Sequence, residues 1–270
     1  MSDKYAVIGN PIAHSKSPLI HHAFAKESDQ SIAYTAELIP LDGIEAGLDT
    51  LQQKGFKGLN VTVPFKEQVW QSLTDKSERA TLAGAVNTIV FNDDGSRYGD
   101  NTDGVGLCLD LTQNHGIALA NKRILLLGAG GAARGVIQLL LAFQPAQLTI
   151  ANRTLSKAQT LAALFNHLGP IRAASFEQLT DNFDLIINAT SASLQGDVPP
   201  IPSATISSQT FCYDMMYSNT DTAFIQWAKK HQAVKTSDGL GMLVEQAAES
   251  FRLWRGIKPN TQTVIDLLRQ

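Results

Sequence analysis

Ile124-Leu-Leu-Leu127, Gly128-Ala-Gly-Gly-Ala-Ala-Arg-Gly135 and Val136-Ile-Gln-Leu-Leu-Leu-Ala-Phe143 follow one another without a break. A short apolar run, a glycine-rich turn and an apolar helical stretch read as strand, turn and helix. The glycine spacing is that of a dinucleotide fingerprint with alanine at its third position. Gly128 allows the tight turn, Gly130 lets backbone approach a pyrophosphate, and the small Ala133 lets helix and strand pack closely. Ala129, Gly131 and Ala132 complete the loop, where free N–H groups and the helix dipole favour phosphate. Without a ligand the same residues would simply make a glycine-rich turn. The stretch is also long enough to cross a membrane and contains a GxxxG spacing at Gly131 and Gly135. Arg134 near its centre would cost roughly 2.5–3.5 kcal/mol there, and the glycines divide it.

Working outward, the next strand ends in Leu148-Thr-Ile150, followed by Ala151-Asn-Arg-Thr154 and Lys157. An NAD site usually places Asp or Glu here, about 20 residues past the glycines, to accept from the ribose 2′-OH. No carboxylate is present. Arg153 offers a planar fork for a 2′-phosphate, Thr154 a hydroxyl and Lys157 a second positive charge, so NADP is expected over NAD. The plainer reading makes Arg153 and Lys157 solvated cations, with Asn152 capping the next helix.

This unit occupies part of a 270-residue chain, long enough for two modest domains. Residues 44% apolar and 17% charged are ordinary for a globular protein, and a net charge of -3 gives no reason to expect nucleic acid or an acidic membrane as partner. Cys108 and Cys212 have no partners at metal-ligand spacing, so no metal is expected and both read as buried thiols in a reducing compartment. Met1-Ser-Asp-Lys4 runs directly into the strand-like Tyr5-Ala-Val-Ile8 without a signal-peptide pattern, which points to the cytoplasm. Apolar runs alternating with helical patterns predict an α/β fold. Strands are expected at 5–9, 32–38, 58–63, 86–91 and 96–99, then at 123–127, 147–151, 171–173, 185–188 and 211–214. Helices are expected at 18–28, with Ser17 as N-cap, and at 44–53, 104–114, 240–254 and 263–268. Residues 1–103 then form an α/β substrate domain and 104–239 a Rossmann-type, doubly wound NADP-binding domain, with helices in 240–270 packing back on the first.

The first domain is dense in polar residues near strand ends: Ser15-Lys-Ser-Pro18, Asn60-Val-Thr-Val-Pro-Phe-Lys66, Gly84-Ala-Val-Asn-Thr88 and Gly99-Asp-Asn-Thr-Asp-Gly104. Each has a plain explanation: a helix cap at Ser17, turn residues at Asn60 and Asn87, a surface cation at Lys66, a cap at Asp103. Together they describe a pocket of neutral hydrogen-bonding groups with one lysine and one carboxylate. With Asn188-Ala-Thr-Ser191, Tyr213-Asp214, Asp238-Gly-Leu-Gly-Met242 and Gln246, these blocks make the chain resemble the shikimate dehydrogenase family over nearly its whole length.

That resemblance implies reduction of 3-dehydroshikimate to shikimate with NADPH, on the route to chorismate and the aromatic amino acids. It implies that Ser15 and Ser17 bind the substrate carboxylate, that Asn60, Thr62, Asn87, Asp103 and Gln246 read ring hydroxyls, and that Tyr217 faces the substrate. Thr190 and Met215 join the cofactor site, with Gly239 and Met242 bordering the nicotinamide. Ser193 and Ala223 depart from the family pattern, where glycine and proline are common. Hydride transfer to a ketone builds charge on oxygen, so a donor must stand ready; Lys66 is the candidate, with Asp103 holding it. The competing readings are a quinate/shikimate dehydrogenase with broader substrate or cofactor use, which NAD use would favour, and a catalytically dead NADP-binding sensor. A monomer or a homodimer fits equally.

Overall fold

The computed structural model describes residues 2–270. They divide into two compact units, one of residues 2–106 with 244–270 and the other of residues 107–243.

The first unit opens with β1 (Asp3–Gly9), buried on both faces from Tyr5 onward as its unbroken apolar run requires of a central parallel strand. There follow α1 (Ser17–Glu27), β2 (Ile32–Leu38), α2 (Ile44–Gln53), β3 (Phe56–Val61), α3 (Lys66–Ser72), β4 (Asp75–Lys76), α4 (Glu78–Ala83), β5 (Thr88–Phe91), β6 (Arg97–Asp100) and α5 (Asp103–Leu109). The sheet order is β2-β1-β3-β5-β6-β4. The sheet is mixed: β1 runs parallel to β2 and β3, whereas β3, β5 and β6 form an antiparallel run. Its core packs Ile8, Leu48, Leu59, Phe65, Val69 and Ile89 with neighbouring apolar side chains.

Several boundaries differ from the sequence expectation. β3 begins at Phe56 and stops at Val61, before Pro64, because Thr62 and Phe65 are already in a turn, the Phe65 N–H donating to the Thr62 carbonyl. Lys66 is therefore the first residue of a short helix and not a residue left beyond a strand end. Ser17 does not cap α1: Lys16 takes the cap position without a side-chain capping bond, Pro18 removes one orphan donor, and the Ser15 hydroxyl accepts from the Ser17 N–H. The helix expected at 104–114 starts at Asp103 and passes at Asp110 into a π-helical turn, Asp110–Asn114.

The second unit contains β7 (Arg123–Leu127), α6 (Gly131–Ala142), β8 (Gln147–Ala151), α7 (Leu155–Phe165), β9 (Ile171–Ala174), β10 (Leu185–Asn188), β11 (Phe211–Asp214), α8 (Ala223–Lys230) and β12 (Lys235–Ser237). All six strands are parallel, in the order β12-β11-β10-β7-β8-β9. Read from β9, this is the doubly wound order, with its reversal between β7 and β10. The chain then enters α9 (Leu240–Arg255), whose later turns belong to the first unit, and ends in α10 (Gln262–Arg269). Among the described residues no helix is long and apolar enough to cross a membrane.

Within the first unit α9 is tied down by ions and by an indole. Arg79 forks onto buried Asp100 at 2.6 Å through both Nε and Nη2 and also reaches Glu249 at 3.0 Å. Trp254 stacks on Tyr5 and donates to the Ile89 carbonyl at 2.9 Å, crossing directly over Gly58. A Cβ at Gly58 would stand 2.3 Å from the indole nitrogen and 2.7 Å from the Ile89 oxygen. Gly58→Ala should therefore lower stability by about 2 kcal/mol or more in a denaturant titration, since neither the ring nor the strand can retreat freely.

Candidate active site

The first unit gathers its polar residues where β3, β5, the 100–103 segment and α9 converge. The Lys66 ammonium lies 2.7 Å from Asp103 Oδ2, with side chains 29% and 14% exposed, so the pair is sheltered yet open on one side. The other carboxylate oxygen accepts from Asn87 Nδ2 at 2.8 Å. Asn87 is buried; its Oδ1 receives the Thr102 N–H at 2.9 Å and the Thr88 hydroxyl at 2.9 Å. Asp103 is oriented from below as well, its N–H donating to Asn101 Oδ1 at 3.1 Å. The plain alternatives thus fail for both residues: Lys66 is paired, and the Asp103 carboxylate is spent on Lys66 and Asn87.

Gln246 on α9 adds a half-buried amide, its Oε1 at 3.4 Å from both Asn87 Nδ2 and Thr102 Oγ1. Thr62 is half-buried, and its hydroxyl bonds nothing among the described residues. Ser17 is buried at the start of α1 beside the Tyr34 phenol, and Ser15 precedes it. Tyr217 belongs to the second unit, where burial raises its phenol.

Asn60 is buried within the first unit. Its Oδ1 accepts from the Tyr34 phenol at 2.7 Å and from His21 Nε2 at 3.1 Å, while its Nδ2 is shared among Ser250, the Asn87 carbonyl and Thr88. It is a fully satisfied buried amide. Thr88 and Thr102 lie inside the Gly84–Thr88 and Gly99–Gly104 motifs, but nothing in the sequence marks His21, Tyr34 or Ser250. His21 stacks on Tyr34 with ring centres 4.2 Å apart, and since Asn60 Oδ1 can only accept, Nε2 carries the proton. Burial pushes its pKa down to about 3 against the opposing bond from Asn60.

In the second unit the fingerprint loop sits at the sheet's reversal, where β7 and β10 diverge. Gly128 has φ +106°, a conformation reserved for glycine, and a Cβ there would also crowd Ala189 and Thr190. Gly130 caps α6, and its missing Cβ would meet nothing within 4 Å. The protein's own packing does not require glycine at 130; an approaching ligand would. Ala129, Gly131 and Ala132 are accessible around it, and Ala133 is buried against the sheet. At the end of β8, Arg153, Thr154 and Lys157 are exposed, and neither cation meets a carboxylate among the described residues. Asn152 Nδ2 donates to the Thr154 carbonyl at 2.9 Å, which fixes the turn. This donor set fits a pyrophosphate and a 2′-phosphate.

Thr190 is held by Asn188, its hydroxyl donating to Asn188 Oδ1 at 2.7 Å. Asn188 in turn donates to buried Asp214 at 3.1 Å, which also accepts from Ser193 and Thr222 at 2.6 Å and from the Met216 N–H at 3.1 Å. Burial raises the Asp214 carboxyl despite these bonds. Ser193, the departure from the family pattern, thus contributes a bond that glycine could not. Met215 and Gly239 lie against each other, and Met242 is buried in the first turn of α9. Among the described residues no group of three or more His, Cys, Asp or Glu could hold a metal.

A doubly wound unit with a phosphate-ready turn, and a separate unit presenting an ammonium and neutral hydrogen-bonding groups, define a pyridine-nucleotide oxidoreductase. The chain belongs to the shikimate dehydrogenase family. Residues 7–89 match the shikimate dehydrogenase substrate binding domain, 110–195 the shikimate / quinate 5-dehydrogenase family, and 239–269 the shikimate 5′-dehydrogenase C-terminal domain. The chain is 55% identical to a shikimate dehydrogenase (NADP(+)) of Hahella chejuensis over 99% of each chain. Its fold matches an Ael1 enzyme from Pseudomonas putida with a TM-score of 0.95 at 44% identity, covering 100% of this chain and 99% of the other. It also matches the Thermus thermophilus shikimate 5-dehydrogenase in complex with NADP(H) and shikimate, with a TM-score of 0.88 at 33% identity, covering 99% and 98%.

The buried histidine has a consequence for stability. Its folded pKa lies below the unfolded value of about 6.5, so acid favours the unfolded chain and stability falls as pH drops from about 6.5 toward 3. Between pH 6.5 and 5 that amounts to about 2 kcal/mol. Denaturant titrations of wild type and His21→Phe across this range should show the variant losing correspondingly less. Parallel slopes would mean that His21 is not the group responsible.

Proposed function

We propose that the chain catalyses the reversible, NADPH-dependent reduction of 3-dehydroshikimate to shikimate in the cytoplasm, as a monomer or homodimer. The observation that carries this reading is the sheltered Lys66–Asp103 pair, steadied by Asn87. Ser15 and Ser17 hold the substrate carboxylate by hydroxyl donation. Asn60, Thr62, Asn87, Asp103 and Gln246 read the ring hydroxyls, with Tyr217 completing the contacts. Gly128, Ala129, Gly130, Gly131, Ala132 and Ala133 receive the pyrophosphate. Asn152, Arg153, Thr154 and Lys157 take the 2′-phosphate end, and Thr190, Met215, Gly239 and Met242 border the nicotinamide. NADPH, when bound, supplies the hydride.

The protein's own contribution to the step is proton management at Lys66 Nζ. As charge grows on the ketone oxygen, the ammonium stabilises it and gives up a proton, yielding the alcohol and a neutral amine. Asp103 keeps the ammonium in place beforehand, and the two titrate as a unit.

An assay of shikimate and quinate, each with NADP or NAD, followed by nicotinamide absorbance, tests the assignment; the strongest turnover should come from shikimate with NADP. Lys66→Met should lose at least about a hundredfold in turnover while still folding and binding NADP. Asp103→Asn should also be severe, and the double variant should be less impaired than the product of the single losses. Near-normal turnover by folded Lys66→Met would remove Lys66 from the chemistry.

Cofactor choice is tested separately. A guanidinium–phosphate interaction contributes about 1.5–3 kcal/mol, so Arg153→Ala should raise the KM for NADPH roughly ten- to a hundredfold. The KM for NADH should stay nearly unchanged. Equal effects on both would show that Arg153 does not read the 2′-phosphate.

A further inference from the structure

Two glycines at the entry to α9 are dictated by what stands against them. A Cβ on Gly239 would lie 2.2 Å from the Met215 carbonyl oxygen, and one on Gly241 would lie 2.0 Å from Asp110 Oδ1. The second contact is unusual, because the obstacle is an ionisable side chain and not backbone. Asp110 begins the π-helical turn, a local widening of the helix that brings its carboxylate up to the Gly241 backbone. It is buried, and no lysine or arginine pairs with it among the described residues.

Its oxygens are satisfied by neutral donors. Tyr213 Oη donates to Oδ2 at 2.6 Å and Asn114 Nδ2 to Oδ1 at 2.9 Å, while His115 Nε2 stands at 3.7 Å. These bonds hold the carboxyl below its usual range against the opposing effect of burial. Tyr213 is fully buried, and burial beside Asp110 raises its phenol. Phenol and carboxylate form one buried pair that stands against the Gly241 backbone. That carboxylate sits against the first turn of α9, the positive end of its dipole.

Burying a charge without a cation costs several kcal/mol unless hydrogen bonds and dipoles offset it, and an apolar pair would fill the same space. What a hydrogen-bonded ion gives that an apolar pair cannot is direction: it fixes the backbone at 241 and 242 to one position. We propose that Asp110 and Tyr213 are positioning residues that set the turn Gly239–Met242 against the nicotinamide ring. The proposal rests on the reading of Gly239 and Met242 as the nicotinamide border. The pair touches neither substrate nor cofactor; it acts through the turn.

Tyr213→Phe removes the hydroxyl link, and Asp110→Asn keeps the volume while removing the charge and one of the two acceptor oxygens. In the ligand-free protein, amide hydrogen exchange at residues 240–243 should quicken in both variants, with exchange in β7 and β10 unchanged. With cofactor, the NADPH Kd should move by less than about threefold, because phosphate contacts dominate ground-state binding. Turnover should fall about ten- to a hundredfold, as expected for a donor misplaced by a fraction of an ångström. The primary deuterium isotope effect on hydride transfer should rise toward its intrinsic value. Gly241→Ala should be worse still, and adding Asp110→Ala should restore part of its turnover by clearing the space for the new methyl group.

Met242→Ala in the same assays separates this proposal from the reading beneath it. If Met242→Ala alters turnover and isotope effect while Tyr213→Phe and Asp110→Asn match wild type in exchange, turnover and isotope effect, the positioning role is overturned and the nicotinamide border stands. If Met242→Ala is also indistinguishable from wild type, the border itself is misassigned and the proposal falls with it. A uniform rise in exchange across the second unit would indicate general loosening and would equally overturn the specific role.

Discussion

The buried amide of Asn60 is the joint on which the first unit depends. One side chain receives a phenol from β2 and an imidazole from α1, and donates toward β5 and α9. An apolar residue there would strand several buried donors and acceptors at once, each costing about 1–3 kcal/mol. Through Thr88 and Ser250 the same network reaches Asn87, and through Asn87 it reaches Asp103 and Lys66. The ammonium is thus the exposed end of a chain of directional bonds anchored in the core. Such anchoring is what a proton donor needs, because its contribution depends on being in place before charge develops.

The second unit solves a different problem with backbone. Parallel strands bring several strand ends to one edge, and the order reversal opens a crevice there without any special side chain. The turn after β7 needs glycine at 128 for its φ and leaves open space at 130, and α6 then presents unpaired N–H groups. At the rim Arg153 and Lys157 stand exposed. Rigidity comes from below: Asp214 collects the 188–193 segment, the turn after β11 and the cap of α8 on one carboxylate. Each unit therefore sets mobile-looking loops on a buried polar hub.

Much of this was legible in the sequence where a continuous apolar run was bounded by turn residues. The strands 123–127, 147–151, 185–188 and 211–214 match β7, β8, β10 and β11 residue for residue. Short or polar elements were not legible. β4 has two residues, β12 is Lys-Thr-Ser at a sheet edge, and α3 and α4 are each too short to show periodicity. Their existence rests on tertiary partners, such as the Ser77 hydroxyl capping α4 and the Ser77 N–H bonding Gly99. Lys66 and Asp103 could be nominated from chemistry, but not the 2.7 Å between them, because 37 residues separate them in the chain.

The residues that escaped sequence reading share a physical reason. His21 and Asp110 are polar types whose burial is imposed by elements distant in sequence, and nothing local distinguishes them from exposed copies. Asp110 lies in a stretch that reads as ordinary helix, since a π-turn differs from an α-turn only in which carbonyl each N–H finds. Ser17 failed as a cap for the converse reason: local preference favoured it, but Pro18 and the Ser15 hydroxyl had already reduced the demand for one. Local sequence specifies what a residue can bond, whereas the fold decides which bonds remain to be made. In this chain the side chains of Thr62, Arg153 and Lys157 are left without an internal partner among the described residues, whereas Lys66 is already paired with Asp103. The bonds already closed at Asn60 are what reach Lys66, through Thr88, Asn87 and Asp103.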